Sequence, residues 1–222
     1  MVPDILSCLK NVPTFSEVPL TALASLAECA TKKKFAKNCI IINEGDPAGP
    51  LFIILSGKVR VYLVSESGKS VTLSIQKIGS YFGELSLLDD QPRSASIITL
   101  EPTLCAMIQK QAFVDWLAAH PEEAALGVMR GLTRRIRCLT DNVRGLALFD
   151  VYTRLARALH ESAVVQDDQL IILEKISHQE LANQVGSSRE MVSKIMKDLS
   201  TGGYLAKNGK TIHIIKPLPM RW

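Results

Sequence analysis

The chain has 222 residues, 47% of them hydrophobic, with 26 Lys and Arg against 22 Asp and Glu for a formal charge of +4. That is enough apolar mass for one large or two modest packed domains. No stretch approaches the roughly 18 uninterrupted apolar residues of a membrane span, and no basic region followed by an apolar block opens the chain, so a soluble, cytoplasmic protein with no membrane partner is expected. Cys8, Cys29, Cys39, Cys105 and Cys138 are scattered without a C-x-x-C pair, and His120, His160, His178 and His213 stand apart, which points to buried free thiols, no metal site and no enzyme. A charge of this size permits nucleic-acid binding without requiring it.

After a short helical start, Leu20, Leu23 and Leu26 recur at helical spacing. The period then becomes two: Val59, Val61 and Leu63 alternate with Lys58, Arg60 and Tyr62, and Val71, Leu73 and Ile75 with Thr72, Ser74 and Gln76. These read as half-buried antiparallel strands. Turn chemistry falls at Glu44-Gly45-Asp46-Pro47, Ser56-Gly57 and Ser67-Gly68, and short strands fit Ser94 to Thr99 and Leu104 to Ile108. Many short strands with regular turns predict a sandwich or jelly-roll barrel from about Lys33 to Lys110.

Within that region, residues Gly79 to Ser96 (GSYFGELSLLDDQPRSAS) carry chemistry suited to a phosphate. Gly83 allows close backbone approach, and Glu84-Leu85-Ser86-Leu87-Leu88 can form a short helix with its first N–H groups toward an anion. Arg93 brings a fixed charge with paired donors, Ser94 a hydroxyl, and Glu84 an acceptor for a ribose hydroxyl. The combination implies a sugar phosphate, in particular a nucleotide; the alternative is a surface turn with an Arg–Glu ion pair.

From Ala124 to Leu148, apolar residues fall at spacings of three and four. Met129, Ile136 and Val143 take the a positions of a heptad seam, and Leu132, Leu139 and Leu146 the d positions. A seam this narrow predicts a homodimer through a long helix; a helix lying lengthwise on its own barrel is the alternative. Arg130, Arg134, Arg135 and Arg137 lie mostly off the seam and read as solvated. Asp150 can cap the next helix, Val151 to Ser162, which makes Phe149-Asp150 the expected hinge, and Ala163 to Gln169 reads as a loop leading to a strand.

The segment KISHQELANQVGSSREMVSKIMKDL has the spacing of a helix-turn-helix. Ala182 lets two helices approach, Gly186 allows a left-handed turn, and Leu181, Val185, Val192 and Ile195 bury the shared face. Ser177 with Glu180 and Ser187 with Glu190 each fit a capping box, with Ser188 an alternative second cap. Ser177 and His178 at the start of the first helix, and Ser188, Arg189, Glu190, Ser193, Lys194 and Lys197 on the second, are the candidate DNA contacts. Arg189 and Lys194 can donate to guanine in the major groove, and Glu190 can accept from cytosine. A helical hairpin with a solvated charged face is the competing reading. Tyr204 to Lys207 and Thr211 to Ile215 flank Asn208-Gly209, a strong hairpin signal, so a winged module is expected, with Lys207 and Lys210 near phosphates.

FGELSLLDDQPRSA closely resembles the phosphate-binding cassette of cyclic-nucleotide-binding domains, and GLALFDV and GSSREMVSKIMKDL resemble the hinge and recognition helix of the cAMP receptor (CRP/FNR) superfamily of bacterial transcription regulators. The resemblance implies an α+β chain: a jelly-roll sensor over 1–123, a dimerisation helix and hinge over 124–149, and a winged helix-turn-helix over 150–222. It implies a ligand site of Gly83, Glu84, Leu85, Ser86, Arg93 and Ser94, with Glu84 on the ribose and Arg93 and Ser94 on the phosphate. Thr140 would meet the adenine, and Asp141 would stand where a serine reaches the partner subunit's nucleotide. Arg189, Glu190 and Lys194 match the three base readers. The implied effector is cAMP, with cyclic di-GMP or no nucleotide as alternatives. The implied partners are a palindromic duplex, a second copy of the chain and, for an activator, RNA polymerase, for which Lys32-Lys33-Lys34 is a candidate contact. An adaptor that binds a cyclic nucleotide but not DNA is the more distant alternative.

Overall fold

The computed structural model describes residues 4–12, 15, 18–166, 169–173, 176–209 and 211–219. They pack as two units, Met1–Leu63 with Leu73–Leu139 and Val64–Thr72 with Thr140–Trp222.

In the first unit, α1 (Ile5–Asn11) and α2 (Leu20–Glu28) precede β1 (Ala30–Phe35), β2 (Ile40–Ile42), β3 (Leu51–Ser56), β4 (Val59–Val64), β5 (Ser70–Gln76) and β6 (Tyr81–Phe82). The short α3 (Leu85–Asp89) leads to β7 (Ser96–Thr99) and β8 (Thr103–Ile108), and α4 (Lys110–Ala119) follows. The strands form two four-stranded sheets of order β1-β8-β3-β6 and β2-β7-β4-β5, the two layers of the expected jelly roll.

The run Leu51–Leu55 shows why one sheet is covered on both sides. Its residues alternate across the pleat, yet all five are buried. Phe52 and Ile54 meet Ile42, Val59, Val61, Phe82, Ile97 and Cys105 between the sheets. Leu51, Ile53 and Leu55 face the opposite way, into a core shared with Leu9, Leu23, Leu26, Phe113 and Trp116 of the helices. Trp116 Nε1 satisfies itself there by donating to Ala22 O at 2.7 Å. A strand apolar on both faces needs a lid on each side, and α1, α2 and α4 supply the second.

Two strands depart from the simple alternation. β5 closes one edge of its sheet, so Val71 and Leu73 are only half-buried and Ile75 is exposed. On β4, Tyr62 is buried rather than outward, with the Arg60 guanidinium 4.4 Å over its ring. β7 starts at Ser96, two residues later than expected, because Ser94 stays in the loop. The thiols also divide: Cys8 and Cys105 are buried, but Cys29 and Cys138 are exposed and Cys39 is intermediate, against the expectation of five buried ones. Cys29 caps the end of α2, Cys39 lies in the turn before β2 and Cys138 sits on α5, places where residue type alone carries no sign of burial.

The helix α5 (Pro121–Leu148) begins three residues before the expected start, since proline fits the first helical turn, and the division between units runs through it. In the second unit follow α6 (Val151–Ser162), β9 (Val164–Gln166), β10 (Gln169–Ile172), α7 (His178–Val185), α8 (Arg189–Thr201), β11 (Leu205–Asn208) and β12 (Thr211–Ile214). Asp150 caps α6 by accepting from Thr153 N at 2.7 Å. Arg154 donates to Leu146 O at 3.2 Å and Phe149 O at 3.0 Å, closing the last turn of α5 at the expected hinge. The expected loop after α6 instead holds β9, which pairs with β10 in a sheet of order β11-β12-β10-β9. Its residues are exposed, so it has no inward apolar face to betray a strand in the sequence. Gly209 turns the final hairpin at φ 58°; Lys210 lies outside the described residues. Among the described residues no helix is long and apolar enough to cross a membrane.

Candidate functional site

In the first unit, Gly83, Glu84, Leu85, Ser86, Arg93 and Ser94 converge on one cleft of about 30 Å³, together with Arg135. Gly83 sits at φ 89°, a conformation closed to most side chains, and a Cβ there would fall 2.6 Å from Arg93 Nη1 and 2.9 Å from Pro50 O. Arg93 is buried, donating from Nη1 to Gly83 O at 2.7 Å and from Nη2 to Pro50 O at 2.9 Å. Its own backbone is locked to the preceding loop, N–H to Asp46 O and C=O to Gly45 N, each at 2.8 Å. Ser94, next to it, is exposed at the rim.

Glu84 immediately precedes α3 and is 2% exposed. Its Oε1 accepts from Arg135 Nη1 at 2.6 Å, while Oε2 and the hydroxyl of Ser86, also 2% exposed, are buried with no hydrogen-bond partner among the described residues. Burial raises the Glu84 carboxyl above its ordinary value, and Arg135 is the chief influence pulling it back. Burial also pulls the Arg93 guanidinium down, against the pull of Glu84 and Asp46. The cleft therefore offers a fixed cation, a half-satisfied carboxylate and a free hydroxyl within one wall. Unpaired buried groups of this kind cost about 1–3 kcal/mol each unless a partner arrives, and a sugar phosphate supplies hydroxyls and anionic oxygens that fit this donor set.

The Arg–Glu ion pair weighed as an alternative exists with a different arginine. Arg135, read from the sequence as solvated, is half-buried and turned into the cleft. Its position just before Ile136 puts it beside the seam, but no spacing rule ties it to Glu84, 51 residues earlier. Thr140 and Asp141 belong to the second unit rather than to the cleft lining; both are exposed, and Asp141 pairs with Arg144 at 3.0 Å.

In the second unit, Leu181, Ala182, Val185, Val192 and Ile195 form the buried face between α7 and α8 as expected. Gly186 ends α7 in the left-handed conformation, at φ 62°. The Ser177–Glu180 capping box is complete, with Glu180 N donating to Ser177 Oγ at 3.1 Å and Ser177 N to Glu180 Oε2 at 2.7 Å. The Ser187–Glu190 box does not form: Ser188 is the cap, accepting from Met191 N at 3.2 Å, because α8 begins one residue later than that box requires. Glu190 stays exposed, its carboxyl held below the ordinary value by its own backbone N–H and the Ser188 hydroxyl. Arg189, Lys194 and Lys197 are exposed on the same helix, and Ser193 is half-buried. His178 Nδ1 meets Ser193 Oγ at 2.8 Å, so these two candidates are bonded to each other across the turn.

Along α5 the seam residues Met129, Ile136, Leu139, Val143 and Leu146 are 40–64% exposed, and Leu132 is half-buried. The helix does not lie lengthwise on an apolar surface of this chain along that stripe.

Residues 32–120 match the family model described as a cyclic nucleotide-binding domain, and residues 153–218 the model described as a Crp-like helix-turn-helix domain. The chain is 30% identical over 210 residues to the CRP-like cAMP-activated global transcriptional regulator of Mycobacterium tuberculosis, covering 93% of each. It is 31% identical over 185 residues to the cAMP-activated global transcriptional regulator CRP of Salmonella typhimurium, covering 81% of this chain and 87% of that one. Among solved structures, the c-di-GMP responsive global regulator CLP of Xanthomonas campestris superposes with a TM-score of 0.79 at 24% identity, over 89% of this chain and all of that one. A CRP-family transcriptional regulator of Thermus thermophilus superposes with a TM-score of 0.68 at 25% identity, over 85% and 92%.

Proposed function

This chain belongs to the CRP/FNR family of transcription regulators, and we propose that it works as a cytoplasmic homodimer that binds a palindromic DNA site under the control of cAMP. The observation that carries this reading is the cleft in which buried Glu84 Oε2 and Ser86 Oγ lack partners beside the Arg93 guanidinium. In this reading Glu84 accepts from the ribose hydroxyl, and Arg93 with Ser94 holds the cyclic phosphate. The backbone of Gly83 to Ser86 closes around it.

The exposed stripe of Met129, Ile136, Leu139, Val143 and Leu146, with Leu132, supports pairing of two copies through residues 124–149, between a sensor of 1–123 and a reading module of 150–222. Two recognition helices then enter successive major grooves about 34 Å apart. Arg189, Glu190 and Lys194 read base edges, Ser193 and His178 support that surface, and Ser177, Ser188 and Lys197 meet the backbone. The effector controls DNA affinity only by the difference in its affinity for the two poses of the dimer.

Calorimetric titration with cAMP, cGMP and cyclic di-GMP, paired with fluorescence anisotropy on a palindromic duplex, tests the whole reading. Saturable binding of cAMP that raises duplex affinity tenfold or more is expected. Binding of cyclic di-GMP alone would replace the effector, nucleotide binding with no duplex retention would favour an adaptor, and binding of none of the three would remove the cassette assignment.

A further inference from the structure

We propose that His178 sets the hydrogen-bonding role of Ser193 on the recognition helix and so makes duplex binding depend on a proton, an inference that rests on the DNA-reading role given to α8 above. Ser193 stands on α8 between Arg189 and Lys197, each four residues away and therefore on the same side of the helix. A serine inside a helix commonly turns its hydroxyl back to the carbonyl four residues before it. Ser200 of the same helix does this, donating to Met196 O at 2.9 Å, and so does Ser162 of α6, donating to Ala158 O at 2.8 Å. Ser193 instead meets Nδ1 of His178, the first residue of α7, at 2.8 Å across the turn. One exposed imidazole therefore decides what the hydroxyl in the middle of a cationic row offers to the groove.

The ring has two neutral forms and one charged form. With its hydrogen on Nε2, Nδ1 accepts, the Ser193 hydrogen is directed at the ring, and only the lone pairs of Oγ remain for DNA; with the hydrogen on Nδ1 the roles reverse. The imidazolium donates from both nitrogens, so it allows only the arrangement in which Ser193 Oγ accepts and its O–H hydrogen is released outward. Protonation thus fixes Ser193 as a donor, suited to the acceptor edge of guanine, where an accepting hydroxyl suits the amino group of adenine or cytosine. It also adds a positive charge to a surface that already carries Arg189, Lys194 and Lys197.

Histidine is the side chain that changes charge between about pH 5 and 8, so this choice falls in the physiological range. The packing of α7 against α6 and α8 names the other charged groups around it. On α7 the Glu180 carboxylate is taken by Ser177 N, and the positions one turn beyond His178, Leu181 and Ala182, are apolar and buried. α8 carries Arg189, Glu190, Lys194, Lys197 and Asp198. α6 carries Arg154, turned to Leu146 O and Phe149 O, Arg157, 5.0 Å over the Phe149 ring, and His160 and Glu161, both exposed. The phosphates of a bound duplex favour the imidazolium over the neutral ring, because an opposite charge within about 4–6 Å stabilises the ionised form. The complex then binds more protons than the free protein, and duplex affinity rises as pH falls.

The test uses the full-length protein at saturating cAMP and fixed salt, as wild type, His178→Gln, His178→Arg and Ser193→Ala. Anisotropy on the palindromic duplex and on its single-base-pair variants is measured at pH 6 and pH 8, on either side of the neutral range. Wild-type affinity should rise about tenfold from the higher pH to the lower, roughly threefold for each of two subunits. Calorimetry in buffers of different ionisation enthalpy should show protons taken up on duplex binding. His178→Gln, which cannot gain the charge, should keep the wild-type affinity of pH 8 at both values, whereas His178→Arg should bind tightly at both. Wild type should also shift toward guanine at one base pair of each half-site as pH falls, and Ser193→Ala should lose that shift while retaining part of the rise in affinity. A residue with only a structural role would change affinity equally at both pH values. A wild-type pH slope in either His178 variant overturns the proposal by placing the proton elsewhere, on His160 or His213, and so does a base preference that still shifts in Ser193→Ala. Should one His178 variant fail to fold, the other is read by the same criterion. A wild type that retains no duplex at either pH overturns the DNA-reading role and this inference together, whereas one that binds the duplex equally at both overturns the inference alone.

Discussion

Arg93→Met should lower the free energy of unfolding by about 2–4 kcal/mol in addition to weakening nucleotide binding. In the structure Arg93 holds Gly83 O at 2.7 Å and Pro50 O at 2.9 Å, and so ties the cassette turn to the loop before β3. Hydrogen bonds from a charged donor contribute about 1.5–3 kcal/mol each, which gives about 3–6 kcal/mol for the two. Gly83 and Pro50 are only half-buried, so water can take over their carbonyls in the variant, and the loss is correspondingly smaller. Methionine keeps most of the buried volume, so a cavity adds little. Against a typical total of about 5–15 kcal/mol the variant remains folded. Urea denaturation with linear extrapolation measures the stability change, and calorimetry with cAMP on the folded protein measures the binding change separately. A stability within about 0.5 kcal/mol of wild type would show that the two carbonyl bonds do not hold the turn, and wild-type affinity for cAMP would show that the guanidinium takes no part in the site.

Folded Glu84 retains its proton above the 4.5 of a free carboxyl. The native state then binds more protons than the unfolded one as pH rises past that value, and stability falls through this window. Glu84→Gln should flatten the curve of stability against pH above about pH 5, and a steeper curve would contradict the burial argument. With a chromogenic thiol reagent, Cys29 and Cys138 should react first, while Cys105, pushed up to about 12 by burial, should wait for unfolding; prompt labelling of Cys105 in a peptide map would refute its place between the sheets. Arg189→Ala should relax base preference by about 1–3 kcal/mol. Lys197→Ala should weaken all duplexes alike and reduce the slope of log affinity against log salt by about 0.9 for each phosphate no longer neutralised, and the reverse pattern would mean the wrong side of α8 faces the groove. Ile136→Glu should shift sedimentation from dimer to monomer; an undisturbed dimer would move the interface elsewhere.

The elements that stand out in the sequence are those in which one local rule is enough. The capping box at Ser177 and Glu180, the Asp150 cap and the Asn208-Gly209 turn each involve groups at most a few residues apart, and each appears where the spacing puts it. The alternation of Val59 and Val61 likewise marks the buried face of β4. β9 escapes such a reading because its residues are exposed, so burial leaves no pattern there. Ser187 is an equal candidate for the second cap because two adjacent serines satisfy nearly the same spacing, and only the start of α8 separates them. For the cleft, Glu84, Ser86 and Arg93 are legible as a segment. Arg135 is not, since an arginine on a charged helix looks the same whether water or a buried carboxylate receives it, and the long-range pairing of α5 with the cassette decides which.

How polar groups are satisfied inside the barrel is itself an argument for a binding role. Two buried polar side chains of the same unit, by contrast, are tied off by the chain: Thr99 Oγ1 donates to Ala36 O at 2.6 Å and accepts from Cys39 N at 2.8 Å, and Ser96 Oγ accepts from Glu44 N at 2.9 Å. A fold selected only for stability would treat Glu84 and Ser86 in the same way, or replace them by apolar residues of similar size, which is neutral or favourable for buried charges. Instead a carboxylate is kept in the interior with one oxygen bonded to a neighbouring helix and the other without a donor among the described residues. Stability alone gives no reason to keep that arrangement; a ligand that completes the carboxylate gives one. The same incompleteness makes the site responsive, because a carboxylate already fully bonded would gain nothing from a ligand hydroxyl.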